Sequence, residues 1–226
     1  MIELVQNFHN LIGSRSAIEN LSKKEHARIL LLSDSHGNYR TLVRILSQFG
    51  SSCDAFIFCG DGARDICEIL EKANEDENFR KTLPPVMAFV RGNGDSEYYP
   101  VSYEIGKDNI EARILPKGSV IFPLSQTICV NNKNIFISHG HYQTVDFGRK
   151  NLANRAEQEN CQIAFYGHTH IAYEEIIDDV MIVNPGSCSR PRGGQSAGFA
   201  ICIVEKDFLD VAFIHVDDFK IYSPIF

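Results

Sequence analysis

The chain has 226 residues, a length that favours a single domain with one substantial core. Hydrophobic residues make up 44% and charged residues 23% of it, as in an ordinary soluble globular protein. The formal net charge of −7 argues against stable nucleic-acid binding, which needs clustered Lys and Arg. A nucleotide or phosphodiester substrate stays open, because bound metal ions can supply positive charge locally.

Neither a membrane span nor a secretory leader is expected. No run reaches the roughly 18 consecutive apolar residues that suggest a span. The first residues also lack a basic region followed by a long apolar run. The seven cysteines are an odd number without a C-x-x-C pair, so buried, reduced thiols in a cytoplasmic protein are expected.

Residues 1–27 are expected to form an N-terminal helical extension, followed by a single domain over residues 28–226. Such a helix could cover the core or mediate a homo-oligomer, and the sequence leaves both open. Its apolar side chains recur on one face of an amphipathic helix, at Leu4, Val5, Phe8, Leu11 and Ile12.

Three short apolar runs, separated by two helical patterns, open the domain. Residues 28–32, 55–59 and 86–90 are typical of strands buried on both faces. Between them, apolar residues at helical spacing predict one helix that ends at Gly50 and another that begins near Arg64. This β-α-β-α-β order favours a mostly parallel sheet.

The second half is richer in strands. Residues 96–118 lack periodicity and are expected to be an irregular connection near the site, and one helix is expected between residues 143 and 159. The element order favours an α/β (α+β) fold in which two sheets pack face to face with helices outside. The predicted strands lie at roughly 119–122, 126–130, 134–138, 162–166, 171–177, 180–183, 198–204 and 208–215.

Five short motifs rich in Asp, Asn, His and Gly follow apolar runs, and they hold five of the eight histidines. In open α/β sheets, ligand sites lie beyond the carboxyl ends of the strands. The motifs are Ser33-Asp34-Ser35-His36-Gly37, Gly60-Asp61-Gly62, Gly92-Asn93-Gly94-Asp95, Ser138-His139-Gly140-His141 and Gly167-His168-Thr169-His170.

The residue types in these motifs suit divalent metal ions. Carboxylate, imidazole and amide oxygen ligands fit Mn, Fe, Zn or Ni, and thiolate clusters are absent from the sequence. The D-x-H and H-x-H spacings are expected to place both side chains on one face of extended backbone. Each motif alone is weak evidence, and a lone histidine is more often an ordinary hydrogen-bonded residue, but all five motifs in this order are hard to explain structurally.

With these motifs the sequence resembles the calcineurin-like metallophosphoesterase superfamily, and in particular its small prokaryotic phosphodiesterase branch. The order D-x-H, G-D, G-N, H-G-H, G-H-T-H is met in full, and Asn184-Pro185-Gly186-Ser187 resembles that branch's N-P-G-S turn. The resemblance covers roughly residues 28–216. It implies a four-layer α-β-β-α sandwich of two mixed sheets, and a metal-dependent phosphoesterase, either a phosphodiesterase, which is favoured, or a broad phosphoesterase, that acts on a small phosphorylated molecule or nucleotide.

The resemblance also implies two divalent ions with a shared carboxylate. A hydroxide between the ions would attack phosphorus in line, while the metals neutralise the charge on the phosphoryl oxygens. Manganese is the expected ion, with iron, nickel, zinc and magnesium as alternatives. The implied ligands are Asp34, His36 and His170 for one ion, Asn93, His139 and His168 for the other, and Asp61 for both.

One position departs from the family pattern. Many members have a His directly after the motif Asn, where this chain has Gly94. His141 is a candidate for the missing acid or for a phosphate contact, and a hydrogen bond that orients a ligand is its alternative role. Asp95 is expected to stabilise its turn and Ser187 to shape the site, whereas the basic loop 190–192 could grip phosphate or lie exposed.

A non-catalytic scaffold is the alternative function, because the retromer subunit of the same superfamily uses this fold for protein interaction. The complete ligand set in this chain favours the enzyme. A nuclease is a third interpretation, although such relatives usually carry additional domains and the extra His.

Overall fold

The computed structural model describes residues 2–7, 9–103, 118–206 and 208–224. Its helices are α1 (Arg15–Lys23), α2 (Tyr39–Phe49), α3 (Ala63–Glu75), α4 (Glu77–Arg80) and α5 (Lys150–Gln158). Its strands are β1 (Ala27–Leu32), β2 (Ala55–Phe58), β3 (Val86–Phe89), β4 (Tyr98–Pro100), β5 (Ser119–Ile121), β6 (Ser125–Val130), β7 (Lys133–Ser138), β8 (Ile163–Phe165), β9 (Ala172–Ile177), β10 (Val180–Pro185), β11 (Gly198–Val204), β12 (Leu209–His215) and β13 (Ile221–Tyr222).

Most of the strands form two mixed sheets. Within the described ranges, the first sheet has six strands in the order β13-β12-β11-β1-β2-β3, and the second has five in the order β6-β7-β8-β10-β9. The strands β1, β2 and β3 are parallel, and so are β7, β8 and β10. The parallel strands of each sheet therefore end at a common edge, where the loops that follow them can meet.

Alternating side chains divide the apolar interior into layers. On β2, Phe56 and Phe58 pack against α2 and α3, whereas Ile57 between them faces the second sheet. On the far side of the second sheet, Phe136 packs with Leu152 of α5. The result is helix, sheet, sheet, helix, which confirms the four-layer sandwich of two mixed sheets.

The N-terminal helix begins later than expected. The helical face predicted from Leu4 to Ile12 is wrong, because Ile12 pairs with Met87 of β3 and the helix α1 begins only after Ser14, whose side chain caps it. Both backbone hydrogen bonds between Ile12 and Met87 are 2.8 Å long. The free edge of β3 offers unpaired backbone groups, and pairing with them outweighs a local helix.

The segment before α1 is nevertheless packed into the fold. Leu11 joins the apolar cluster between the sheets, while Ile12, its neighbour, joins the cluster on the helical side of the first sheet. Adjacent residues that enter opposite faces are the mark of extended chain, not of a helix. Farther along, Leu21 of α1 packs into the cluster between the two sheets.

Two other elements differ from the sequence prediction. The helix expected over residues 143–159 is shorter, since 3₁₀ turns at His141–Gln143 and Val145–Phe147 precede α5. The connection expected to be irregular over residues 96–118 contains β4, which pairs with β5, and its residues 104–117 lie outside the described ranges.

The cysteines agree with the expectation of reduced thiols. All seven lie in the described part of the chain and are free, and six of them are buried, with Cys129 half-buried. Burial raises the pKa of the Cys67 thiol to about 12, so this thiol stays protonated near neutral pH. Among the described residues, no helix combines the length and the apolar character that crossing a membrane requires.

Candidate metal centre

All seven candidate ligands lie in loops that follow the carboxyl ends of parallel strands. Asp34 and His36 follow β1, Asp61 follows β2, and Asn93 follows β3 in the first sheet. The loops after β7 and β8 in the second sheet carry the rest, namely His139, His168 and His170. The two sheets thus bring five separate motifs to one edge of the sandwich.

Three of these residues form what we call the first ligand group, defined as Asp34, His36 and His170. One ligand atom from each lies within 4.8 Å of the others. The Nε2 atoms of His36 and His170 are 2.9 Å apart, and His170 Nε2 is 3.2 Å from Asp34 Oδ1. Asp34 is fully buried and His170 is 4% exposed, so this group lies deep in the fold.

The other four residues form the second ligand group, defined as Asp61, Asn93, His139 and His168. Asp61 Oδ2 is 3.6 Å from His139 Nε2, and Asn93 Oδ1 is 3.0 Å from His168 Nδ1. The His139 and His168 rings have centroids 5.1 Å apart. Asp61 also lies 3.9 Å from His36 Nε2, between the two groups, as a bridging carboxylate would.

Hydrogen bonds at the back of two rings fix which nitrogen faces the centre. Nδ1 of His139 lies 2.6 Å from the carbonyl oxygen of Cys59, and Nδ1 of His170 lies 2.6 Å from that of Arg190. Because a carbonyl only accepts, each Nδ1 carries a proton, and in the neutral imidazole each Nε2 keeps its lone pair. This is the arrangement of histidines that bind metal ions.

The donor set fits a cation. Asp34 Oδ1 and His139 Nε2 are buried atoms without a hydrogen-bond partner in the described part of the chain. Buried polar atoms are normally paired, and unpaired ones require an explanation. Asp34, Asp61 and His139 also have ligand atoms within 4.8 Å of one another, so their lone pairs converge on a small volume. A divalent ion would satisfy them all.

Electrostatics at the second ligand group point the same way. Burial would raise the pKa of the Asp61 carboxyl, but His139 and the N–H of Gly94 outweigh burial and hold that pKa well below its ordinary value. Burial would lower the pKa of His139, but the carboxylates of Asp61 and Asp34 raise it above its ordinary value. The pocket therefore favours positive charge, whether a proton or a metal ion.

The ligand loops do not have the extended backbone expected from the D-x-H and H-x-H spacings. The φ angles of Asp34, His36, Asp61, His168 and His170 lie between 46° and 68°, in the left-handed region. Non-glycine residues seldom adopt this region, and such strain concentrates at functional sites. The side chains still converge, but through tight turns that aim each of them separately.

Two glycines let neighbouring loops approach the carboxylates closely. A Cβ added at Gly92 would collide with the carboxylate and the backbone N of Asp61. A Cβ added at Gly167 would collide with Ser33 and approach Asp34 Oδ2. Only glycine fits where a loop from one strand passes over the ligand of another.

Side chains outside the ligand set brace these loops. Asp95 accepts hydrogen bonds from the backbone N–H groups of Gly92 and Ala63, at 2.9 and 3.0 Å, so it joins the loop after β3 to the start of α3. This confirms its role in the turn and extends it. Asp65, which the motifs do not include, accepts from Ser35 Oγ at 2.5 Å and from the N–H of Gly37 at 2.9 Å. Only its place in the first turn of a helix next to a motif could have indicated it.

The N-P-G-S turn supports the first ligand group from behind. The hydroxyl of Ser187 donates to the carbonyl of Asp34 at 2.7 Å and accepts from the N–H of Arg190 at 2.7 Å. Asn184 donates to the carbonyl of Gly167 at 2.7 Å. The carbonyl of Arg190 in turn holds His170, so the backbone of the basic loop helps to orient a ligand while the arginine side chain is exposed.

His141 lies beside the second ligand group without a hydrogen bond to it. Its Nδ1 is buried and has no partner among the described residues, and its ring centroid is 5.3 Å from that of His139. Burial lowers the pKa of His141, and the neighbouring His139 and His168 lower it further. The expected alternative, a hydrogen bond that orients a ligand, is not what the described contacts show.

Comparison with known proteins identifies the family. The sequence model of the calcineurin-like phosphoesterase superfamily domain matches residues 28–207. The chain belongs to this superfamily. Membership confirms the family expected from the five motifs, and it implies divalent metal ions, for which the two ligand groups are the candidates.

Individual relatives share the phosphoesterase fold over nearly their whole length. The phosphodiesterase YfcE of Escherichia coli K12 is 28% identical over 207 residues, which is 88% of this chain and 97% of the relative. A solved structure from Streptococcus pneumoniae, described as a predicted phosphoesterase, has a TM-score of 0.63 at 22% identity and covers 87% of this chain and 93% of its own. Vacuolar protein sorting 29 from Cryptosporidium parvum has a TM-score of 0.62 at 16% identity, with coverages of 88% and 96%. The two structural likenesses show the fold alone.

Proposed function

We propose that this phosphoesterase is a phosphodiesterase that hydrolyses a small phosphorylated molecule or nucleotide with two divalent ions. The observation that carries the proposal is the pair of buried, unpartnered atoms Asp34 Oδ1 and His139 Nε2, which belong to different ligand groups on different sheets. A single ion close to Asp34, Asp61 and His139 would leave the other candidate ligands without one, whereas two ions with Asp61 between them use every candidate ligand.

The chain's own residues would hold and orient these ions. The first ligand group would bind one, and the second would bind the other through Asn93, His139 and His168, with Asp61 in contact with both. When bound, two such ions neutralise charge on phosphoryl oxygens and acidify a water molecule. Manganese is the proposed ion, because carboxylate, amide and imidazole ligands suit it, although the same ligands accept iron, nickel, zinc or magnesium.

His141 is proposed to contact the substrate phosphate. Its ring lies beside His139 and His168, and an imidazole with a lowered pKa is neutral at pH 7 and donates one N–H. Bound cations would lower that pKa further, which disfavours the alternative role of general acid. With Gly94 at the position of the family's acid, esters with poor leaving groups should react slowly.

The test uses two chromogenic esters. Metal-stripped protein is assayed with bis(p-nitrophenyl) phosphate and p-nitrophenyl phosphate, with Mn²⁺, Ni²⁺, Zn²⁺ or Mg²⁺ added separately. Metal-dependent turnover that prefers the diester is expected, and it should vanish in an Asn93→Ala, His139→Ala double variant. His26→Ala serves as the control. His26 is an exposed histidine that pairs with Glu205, and it precedes β1, whereas the candidate ligands Asp34 and His36 follow that strand.

Each outcome bears on the proposal. Preference for the monoester would retain the metal-dependent enzyme and reject the phosphodiesterase. No turnover with any ion, in protein that is folded and binds two ions, would reject the enzyme in favour of the interaction scaffold.

A further inference from the structure

We propose that Asp146 is a positioning residue that holds the His168 ring so that its Nδ1, not its Nε2, faces the second metal ion. This inference rests on the proposed two-metal function. Asp146 lies in the 3₁₀ turn Val145–Phe147, outside the five motifs.

The contacts of His168 define the orientation of its ring. Nε2 lies 2.8 Å from Asp146 Oδ2, and Nδ1 lies 3.0 Å from Asn93 Oδ1. A neutral imidazole has one proton for these two nitrogens, and both of them face an oxygen. If Nε2–H donates to the carboxylate, Nδ1 keeps its lone pair. That lone pair and the amide oxygen of Asn93 can then both bind one ion. Two such donors 3.0 Å apart suit a shared ion.

In two other candidate ligands the two ring nitrogens have the opposite roles. His139 and His170 donate from Nδ1 to backbone carbonyls and direct Nε2 toward the centre. A carbonyl is fixed by the fold, whereas Asp146 is a side chain that is 49% exposed. The orientation of His168 therefore depends on a surface turn.

The turn that carries Asp146 is anchored in the fold. Val145 is 1% exposed and packs with the α5 side of the second sheet. Thr144 adopts a left-handed backbone with a φ of 53°, which joins the turn to the loop after β7. Val145 thus fixes the turn to the core, while Asp146, the next residue, contacts His168.

The test measures metal binding directly. Metal-free protein is titrated with Mn²⁺ by calorimetry, and the wild-type chain is expected to bind two ions. In Asp146→Ala one of the two sites should weaken about 10–100-fold, the range typical for loss of such a partner, while the other stays unchanged. Asp146→Asn keeps an acceptor oxygen and should recover most of the affinity.

A matched control removes a similar contact elsewhere. Glu205 lies 2.9 Å from His26 Nδ1, and Glu205→Gln should bind both ions as the wild type does. At saturating Mn²⁺, Asp146→Ala should regain turnover with an unchanged KM, because only the affinity for the ion is affected.

The outcomes separate this inference from the proposed function. If the wild type binds fewer than two ions, the two-metal function itself is wrong. If the wild type binds two ions and Asp146→Ala binds both of them as tightly as the wild type does, the positioning role is wrong. If each of the variants Asp146→Ala and Asp146→Asn loses affinity at both metal sites to the same extent, the positioning role is also wrong. That pattern indicates general disruption of the fold.

Discussion

The two ligand groups are built in different ways. The first rests on β1, which lies inside its sheet between β11 and β2, and a backbone carbonyl holds His170. The second takes Asn93 from the loop after β3, an edge strand, and His168 from a ring held by an exposed carboxylate. The first group is therefore supported by the core, whereas half of the second is supported by the periphery of the fold.

This difference predicts unequal sites. Donors fixed by buried backbone lose little freedom when they bind an ion, so the first ligand group should bind more tightly. Donors that depend on a strand edge and a surface turn should bind more weakly and respond more to substitution. The following substitutions examine that contrast.

The largest effect is expected at the edge strand. Ile12 is fully buried and pairs with Met87 of β3, so Ile12→Ala leaves a cavity behind the strand that leads to Asn93. The free energy of unfolding should fall by about 2–5 kcal/mol, as for other buried Ile→Ala changes. Urea denaturation measures the loss, and Ile176→Ala, at a side chain that is 69% exposed, is the control. An unchanged midpoint would show that the N-terminal segment does not support β3.

The next effect concerns the bridging carboxylate. Gly92→Ala places a methyl group against Asp61, whereas Gly94→Ala meets the same carboxylate at 3.3 Å and needs only a small shift. Because a displacement of about 1 Å can lower turnover about 10²-fold, Gly92→Ala should lose at least that factor and Gly94→Ala much less. Steady-state hydrolysis of the diester compares the two. Similar rates for both variants would contradict the close approach.

The smallest of the three effects is expected where the N-P-G-S turn supports the first ligand group. Ser187→Ala removes a buried hydroxyl and leaves the carbonyl of Asp34 and the N–H of Arg190 without it, which should cost about 1–3 kcal/mol of unfolding free energy. Ser22→Ala is the control, at a half-buried serine whose hydroxyl donates to the carbonyl of Glu19 within the same helix. Thermal unfolding at fixed metal concentration detects the difference. If only the second site weakened in calorimetry, the proposed division of support would be wrong.

Much of the candidate centre was predictable, because its residue types and their positions form a recognisable pattern. Asp, Asn and His after apolar runs indicate both the ends of strands and the ligands of a metal ion, so the motifs predict fold and site together. The left-handed backbone at His36 was not predictable, because the spacing D-x-H is equally compatible with an extended chain. Asp65 and Asp146 escaped detection because an acidic residue in a helical turn has many ordinary uses.

The helix predicted for the N-terminal segment is wrong for a related reason. Leu11 and Ile12 fit a helical face, yet neighbouring apolar residues fit a strand buried on both sides equally well. The choice depends on whether a partner strand has a free edge, and only the assembled sheet reveals that of β3.

The candidate ligands of the first group come from both sheets, and this would give a bound ion a role in cohesion. Asp34 follows a strand of one sheet and His170 a strand of the other, far apart along the chain. An ion held by both would act as a crosslink between the two halves of the sandwich, in a protein whose seven cysteines are all free. At a hundred times its dissociation constant, such an ion would add about 2.7 kcal/mol to the stability of the folded state. Metal supply would thus affect the stability of the folded state as well as the rate of hydrolysis.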